Sequence, residues 1–216
     1  VFTLHQPAGQ LHPTAQVFSI RGFGTTTNVN TLVTIDGVPA NDAFFRTVDW
    51  TRIPKESIER IEVIRGGGAT SLWGNLAMGG VVNVVTRDPL PDERRIAASA
   101  GSHGNRSLAG AATLVADERM RIGIDADAAS SDGYWSVPAR FRNPRMRTTA
   151  SRVDNLRFTG IFTPSNASRY YVKASLHRSR ERGLVWDVTR NVWENRRVVA
   201  GGSTQLDAGG SLNVSG

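Results

Sequence analysis

From about residue 93 onward, apolar and polar side chains alternate with a period of two, and this restricts the possible folds more than any other feature of the sequence. In 121–128, Ile122, Ile124, Ala126 and Ala128 share one face, and Arg121, Asp125 and Asp127 share the other. In 155–162, Leu156, Phe158 and Phe162 oppose Asn155, Arg157 and Thr159. In 170–177, Tyr170, Val172, Ala174 and Leu176 oppose Tyr171, Lys173, Ser175 and His177. Successive side chains of a strand point to opposite faces, so each segment predicts a strand with one apolar and one polar face. Such segments run about ten residues, near the ~9–11 that a tilted membrane-crossing strand needs. No apolar run approaches the ~20 residues of a transmembrane helix, so any membrane crossing must use strands.

The links between these segments carry a second signal. They read as short near 117–118, 163–168 and 207–209, long near 130–150 and 180–195, and intermediate at 101–105. Transmembrane barrels alternate short turns on one side with longer loops on the other. The apolar faces are rich in Ala and Gly, which keeps a soluble sandwich open as the competing arrangement. Six strands are expected, with a seventh at 210–215.

The first half has a different grammar. Arg87-Asp88-Pro89-Leu90-Pro91-Asp92 holds two prolines, which suit neither a helix interior nor a central strand. The domain boundary is placed there, giving 1–92 and 93–216. Before it, β-type runs alternate with turns: Val17–Ile20, then Thr31–Ile35 ending at the tight-turn pair Asp36-Gly37. Pro54-Lys55-Glu56-Ser57 predicts one helical turn with proline leading. Ile61, Val63 and Ile64 predict a strand stopped by Gly66-Gly67-Gly68, and 69–76 a short helix. Val81-Val82-Asn83-Val84-Val85 is continuous enough to predict a strand buried on both faces. Together these describe a small α+β domain.

Composition excludes several functions. The net charge is +7, and all cationic residues but Lys55 and Lys173 are arginine. The arginines are scattered and interleaved with carboxylates, as in Glu59-Arg60, so no nucleic-acid stripe forms. There is no cysteine, hence no disulfide or thiolate metal site. His5, His12, His103 and His177 lack a shared ligand spacing, so no metal and no cofactor is expected. The sequence opens at Val1 without a signal-type segment, so either a signal has been removed or the chain is a piece of a longer one.

Five pieces then occur in order over 18–88. They are Ser19-Ile20-Arg21-Gly22-Phe23-Gly24; Val33-Thr34-Ile35-Asp36-Gly37-Val38-Pro39; and Ile53-Pro54 with Ile58-Glu59-Arg60-Ile61-Glu62-Val63-Ile64-Arg65-Gly66. Ser71-Leu72-Trp73-Gly74 and Gly79-Gly80-Val81-Val82-Asn83-Val84-Val85-Thr86 complete the set. Their order and spacing resemble the plug domain of TonB-dependent outer-membrane receptors. The resemblance continues less specifically over 93–216, as the first strands of the transmembrane barrel. Gly67 stands where the family usually has proline, and Trp73 where it usually has tyrosine.

The resemblance implies an α+β plug domain followed by antiparallel barrel strands, in the outer membrane of a Gram-negative bacterium and without enzymatic chemistry. It implies import of a scarce ligand, foremost a ferric siderophore, with haem, cobalamin or a glycan as the other cargoes of such receptors. It also implies energy coupling to TonB through an N-terminal segment that this sequence lacks. Arg21 and Arg65 match family positions that pair with barrel-wall carboxylates, a task suited to the permanently charged, forked guanidinium. Thr26, Thr27 and Asn28, and Phe44, Phe45 and Arg46, fall in turns that rise to the ligand side of such plugs, although the two phenylalanines equally suit the plug core. Tyr134, Trp135, Trp186 and Trp193 belong either to ligand-contacting loops or to the aromatic girdle of a membrane barrel.

Three other readings compete. A soluble β-rich binding or adhesion protein would put large apolar residues on one face, against a second sheet. A nucleotide-dependent enzyme built on 66–73 would need a P-loop Gly-Lys-Ser/Thr, or glycine in place of Ser71; neither is present. A signalling receptor of the same family would carry its distinguishing extension before Val1.

Overall fold

The computed structural model describes residues 2–5, 17–20, 30–43, 48–66, 73–74, 77–135, 137–182, 190–205 and 211–215. The chain packs as two compact units: 1–87 with 132–151 and 181–191, and 88–131 with 152–180 and 192–216.

In the first unit β1 (Phe2–His5) pairs antiparallel with β2 (Val17–Ile20). A four-stranded mixed sheet follows, ordered β4-β3-β6-β5, from β3 (Thr31–Ile35), β4 (Val38–Pro39), β5 (Ile58–Arg65) and β6 (Gly80–Thr86). β3 and β6 are parallel, with Leu32 opposite Val81 and Val33 opposite Val82. Alternation sends these residues to opposite faces, and each face has its own core. Val33 and Val82 join Ile20, Ala40 and Val48 on one side; Leu32 and Val81 join Ala77 on the other. The unbroken apolar run of β6 follows from its place between β3 and β5.

The turn from β3 to β4 has positive φ at both Asp36 (52°) and Gly37 (80°), the geometry of a type I′ hairpin. The Asp36 carboxylate accepts from the Thr86 amide at 2.9 Å and the Thr86 hydroxyl at 2.8 Å, fastening the hairpin to the end of β6. The helical turn expected after Pro54 is a 3-10 turn, Lys55–Ser57. A second 3-10 turn, Trp50–Arg52, is capped by Asp49, which accepts from Thr51 N at 3.0 Å. Of the helix expected over 69–76, all but Trp73 and Gly74 lie outside the described residues.

A polar seam crosses the sheet. Arg60 donates to Glu59 at 2.7 Å and Glu62 at 2.8 Å. The Asn83 amide donates to Glu62 at 2.9 Å while its oxygen accepts from the Thr34 hydroxyl at 2.8 Å. The Asn83 and Arg60 donors hold the Glu62 carboxyl below its ordinary value.

The second sheet is a seven-stranded meander. It comprises β7 (Arg94–Ala100), β8 (Arg106–Ala116), β9 (Met120–Ser131), β10 (Ala150–Ser165), β11 (Ser168–Arg182), β12 (Arg190–Gln205) and β13 (Ser211–Ser215), each beside its chain neighbour. The registers of β7–β8, β8–β9 and β12–β13 are antiparallel. The link expected to be long near 180–195 is shorter than the sequence suggested, because β11 runs to Arg182 and β12 starts at Arg190. Charged residues there keep the two-residue alternation and pair across the strands, Arg178 with Glu194 at 3.1 Å. The shortest links are 117–119 and 166–167; the longest is 132–149.

Two outcomes are expected. Gly80 has φ 137°, and a Cβ there would collide with the Ile64 carbonyl. Gly80→Ala therefore destabilises the four-stranded sheet by about 1–3 kcal/mol, read as a lower urea midpoint for the unfolding of that sheet. Glu62, its pKa depressed in the fold, contributes stability above the ordinary carboxylate value of about 4.3, and loses it as pH falls through its lower folded value. Glu62→Gln should flatten the acid limb of that transition by lowering stability at neutral pH, and leave the low-pH end little changed.

Candidate functional site

The seven-stranded sheet reverses the burial of a water-soluble one. Its large apolar side chains are exposed: Ile96 (83%), Leu114 (61%), Val198 (70%), and with them Leu156, Phe158, Phe162, Tyr170, Val172 and Leu176. The opposite face is polar and closed to solvent, with Thr159 (1%), His177 (7%) and Ser179 (0%). The strand ladder pairs backbone groups within the sheet, so apolar side chains can stand outward without stranding a donor or acceptor.

The buried polar face is cross-linked between strands. The Asn155 amide donates to Asp127 at 3.1 Å, and its oxygen lies 2.7 Å from Nδ1 of His177. With the Asn155 nitrogen committed to Asp127, its oxygen is the acceptor and Nδ1 of His177 carries the proton. One turn of the pleat away, Arg157 faces Asp125 at 3.7 Å. Residues from β9, β10 and β11 thus hold one another by side chain as well as by backbone. Among the described residues no cluster of His, Asp and Glu has the makings of a metal site.

A tether, 88–93, lies on this unit. Asp88 takes the Arg169 guanidinium at 2.7 Å, and Pro89 O accepts from Arg121 at 3.3 Å. Leu90 O accepts from the Thr113 hydroxyl at 2.6 Å, and Glu93 O from the Thr113 amide at 2.9 Å. Pro89 is buried over Gly123, where an added Cβ would meet the proline ring at 2.6 Å. A glycine inside a strand is where another backbone can approach closely. Gly123 was the one signal of this seat in the sequence, and the strand reading passed over it.

The longest link, 132–149, is rich in arginine and aromatic side chains. Arg142 stacks over Trp135 at 4.5 Å and Arg140 over Phe141 at 4.7 Å. Arg142 also donates to Val137 O at 2.8 Å, and Tyr134 O accepts from Thr149 N at 3.2 Å, closing the base of the loop. Arg145 and Arg147 lie in the same link, and Asp132 is its single acid.

Tyr134 and Trp135 therefore lie in a structured loop, Trp135 40% exposed. Trp193, expected beside a loop, lies within β12 on its half-buried side, between the exposed Val192 and Glu194, because the strand begins at Arg190. Arg65 is exposed at the end of β5, just before the turn at Gly66 (φ 93°). Arg21, Thr26, Thr27, Asn28, Phe44, Phe45, Arg46 and Trp186 lie outside the described residues. Burial lowers Arg52 from its ordinary value against the opposing pull of Asp49 and Asp42; its guanidinium donates to Ala40 O at 2.8 Å.

A small mixed sheet with a two-sided core, followed in one chain by a meander with its apolar face outward, defines a plug domain joined to outer-membrane-type barrel strands. The family model for the TonB-dependent receptor plug domain matches residues 3–81. A vitamin B12 transporter of Photobacterium profundum is 41% identical over 86 residues, 39% of this chain and 14% of the relative. A ferric enterobactin receptor of Pseudomonas aeruginosa is 34% identical over 116 residues, 49% of this chain and 14% of the relative. Among solved structures, the unliganded ferric citrate transporter FecA superposes with a TM-score of 0.73 at 18% identity, over 99% of this chain and 34% of that one. The ferripyoverdine receptor of P. aeruginosa gives 0.72 at 16%, over 99% and 29%. Residues 3–81 are thus a plug domain of the TonB-dependent receptor type, and the chain spans about a seventh of the length of the two curated relatives.

The tether's hold is expected to rest on packing more than on charge. The Arg169–Asp88 pair is partly exposed, at 40% and 30%, and pairs of that kind contribute ~0–1 kcal/mol. Limited proteolysis of the 87–93 stretch in the receptor should change little with Arg169→Ala. It should accelerate sharply with Gly123→Val, which removes the seat of Pro89.

Proposed function

We propose that this chain is the plug and the opening barrel wall of an outer-membrane importer that admits a ferric siderophore. The observation that carries the reading is the pairing, in one chain, of a plug-type sheet with a sheet whose apolar face is outward. Plug-bearing TonB-dependent receptors are outer-membrane proteins of Gram-negative bacteria, and that is the location proposed here. In this reading 1–92 is the plug and 93–216 the wall. Transport needs no covalent step: ligand binds outside, TonB pulls on the plug from the periplasm, and polar contacts break and re-form. Arg21 and Arg65 are proposed to latch the plug to carboxylates of the barrel wall.

The choice of a ferric siderophore rests on loop 132–149. Four arginines against one acid, two of them stacked on aromatic rings, favour an anionic, aromatic chelate through charge and cation–π contact. Thr26, Thr27, Asn28, Phe44, Phe45 and Arg46 are proposed to meet the same ligand from the plug side. Cobalamin is the second reading, favoured by the identity to the P. profundum transporter.

The test is uptake by cells that express the complete receptor in place of their own, supplied with radiolabelled ferric catecholate or cobalamin. TonB-dependent iron accumulation is the expected result; cobalamin uptake alone would replace the first reading with the second. Arg140→Ala with Arg142→Ala should raise the Kd for the ferric chelate about ten-fold, the scale of one or two cation–π contacts, and leave the amount of folded receptor unchanged.

A further inference from the structure

The division between the two compact units falls at the Arg87–Asp88 peptide, and the chain is held on its two sides by different means. On the earlier side the Arg87 amide donates to Ser57 O at 3.0 Å, and its guanidinium Nε donates to Glu56 O at 2.9 Å. The guanidinium bond is exposed, so water replaces it at little cost. On the later side the hold is built into the strands. β8 carries a bulge between Thr113 and Val115, and Thr113, the last regular position before it, pairs with Gly123 of β9. A bulge bends its strand and re-aims a side chain. Here the Thr113 hydroxyl donates to Leu90 O, and its amide donates to Glu93 O as the next rung beyond the Arg94–Ala112 pair. The Pro89 ring is buried over Gly123, while Pro89 O and the Asp88 carboxylate take Arg121 and Arg169. Pro89 and Pro91 have fixed φ and no N–H, so the segment gains few conformations on release.

We propose that residues 88–93 are a stop: they belong to the wall, stay seated on β8 and β9 when the plug sheet shifts or unfolds, and leave Arg87 as the yielding point. The inference rests on reading the first unit as a movable plug and the second as a barrel wall. Release at Arg87 frees two carbonyls that water satisfies. Release of 88–93 uncovers a proline ring and a strand glycine, breaks four polar contacts together and frays the β7–β8 ladder. Opening free energy varies from place to place within a protein, and the weaker hold opens first. A stop at this point limits how much chain is drawn out and returns the plug sheet to one register.

The experiment uses the complete receptor in detergent, carrying no cysteine beyond those introduced for spin labels. One form is Lys55→Cys, in the 3-10 turn that holds Arg87; the other is Leu90→Cys with Glu118→Cys, both exposed and both in the second unit. In a urea titration the Lys55 label is expected to become mobile about 1 M before the Leu90–Glu118 distance distribution broadens. Both changes at one urea concentration would overturn the proposal. Pro89→Gly leaves β9 untouched, and folding of the wall is checked by its resistance to unheated SDS. That variant should bring the two transitions together; an unchanged separation would overturn the proposal as well. The import reading fails separately, if cells expressing the wild type take up no chelate while the two transitions stay apart.

Discussion

A β-strand ladder satisfies its own backbone, and that frees the side chains of the seven-stranded sheet to face outward against an apolar medium. In water such a face would be a liability, since exposed leucine, isoleucine, valine and phenylalanine over several strands exceed what soluble monomers normally show. With the apolar side outward, the polar side must find its partners within the protein. Asp125, Asp127, Asn155, Arg157 and His177 do so across β9, β10 and β11. The buried hydrogen bonds of that face and the exposed apolar band of the other are therefore one design, and neither is stable without its counterpart.

The plug unit is built on different terms. Its core is two small clusters on either side of β3 and β6, and its seam is a chain of exposed and half-buried hydrogen bonds through Arg60, Glu62 and Asn83. Exposed ion pairs each contribute ~0–1 kcal/mol, so the seam orders the sheet without locking it. Edge strand β5 keeps Ile61 and Ile64 more than half exposed. The tether is held more firmly, by Pro89 packed on Gly123 and by four polar contacts along 88–93.

Much of this architecture was legible because period two survives in the sequence. The faces read from 121–128, 155–162 and 170–177 are those of β9, β10 and β11, and the valine run of 81–85 is the central strand β6. Strand ends were less legible. Arg180, Arg182 and Glu194 fall in the stretch read as a long link, 180–195, yet they continue the ladder. Charge reports the medium around a side chain; hydrogen-bond register reports the backbone, and the two part company where a strand leaves an apolar layer. The Asp127–Asn155–His177 links were hidden for a related reason, since cross-strand register depends on bulges and turn geometry that alternation does not encode. The motif match drew attention to Arg21 and Arg65 for their place in a pattern, while the contacts that anchor the tether come from Arg121, Thr113 and Gly123, which belong to no motif.

The relatives share the plug and differ in cargo: one is a vitamin B12 transporter, another a ferric enterobactin receptor, at 41% and 34% identity. Similarity of that kind lies in the plug stretch, where glycines at positive φ and a β-branched central strand set the fold. Cargo imposes its demands elsewhere, on side chains that touch it, and here the segment with the least mechanical role and the most distinctive chemistry is 132–149. Its arginines stack on aromatic rings that hold them in place before any ligand arrives, so less ordering entropy is lost on binding than free side chains would lose. Under the proposed reading, preorganised positive charge beside flat apolar surface suits a ligand that is both anionic and aromatic, and it lies in a loop outside the plug match.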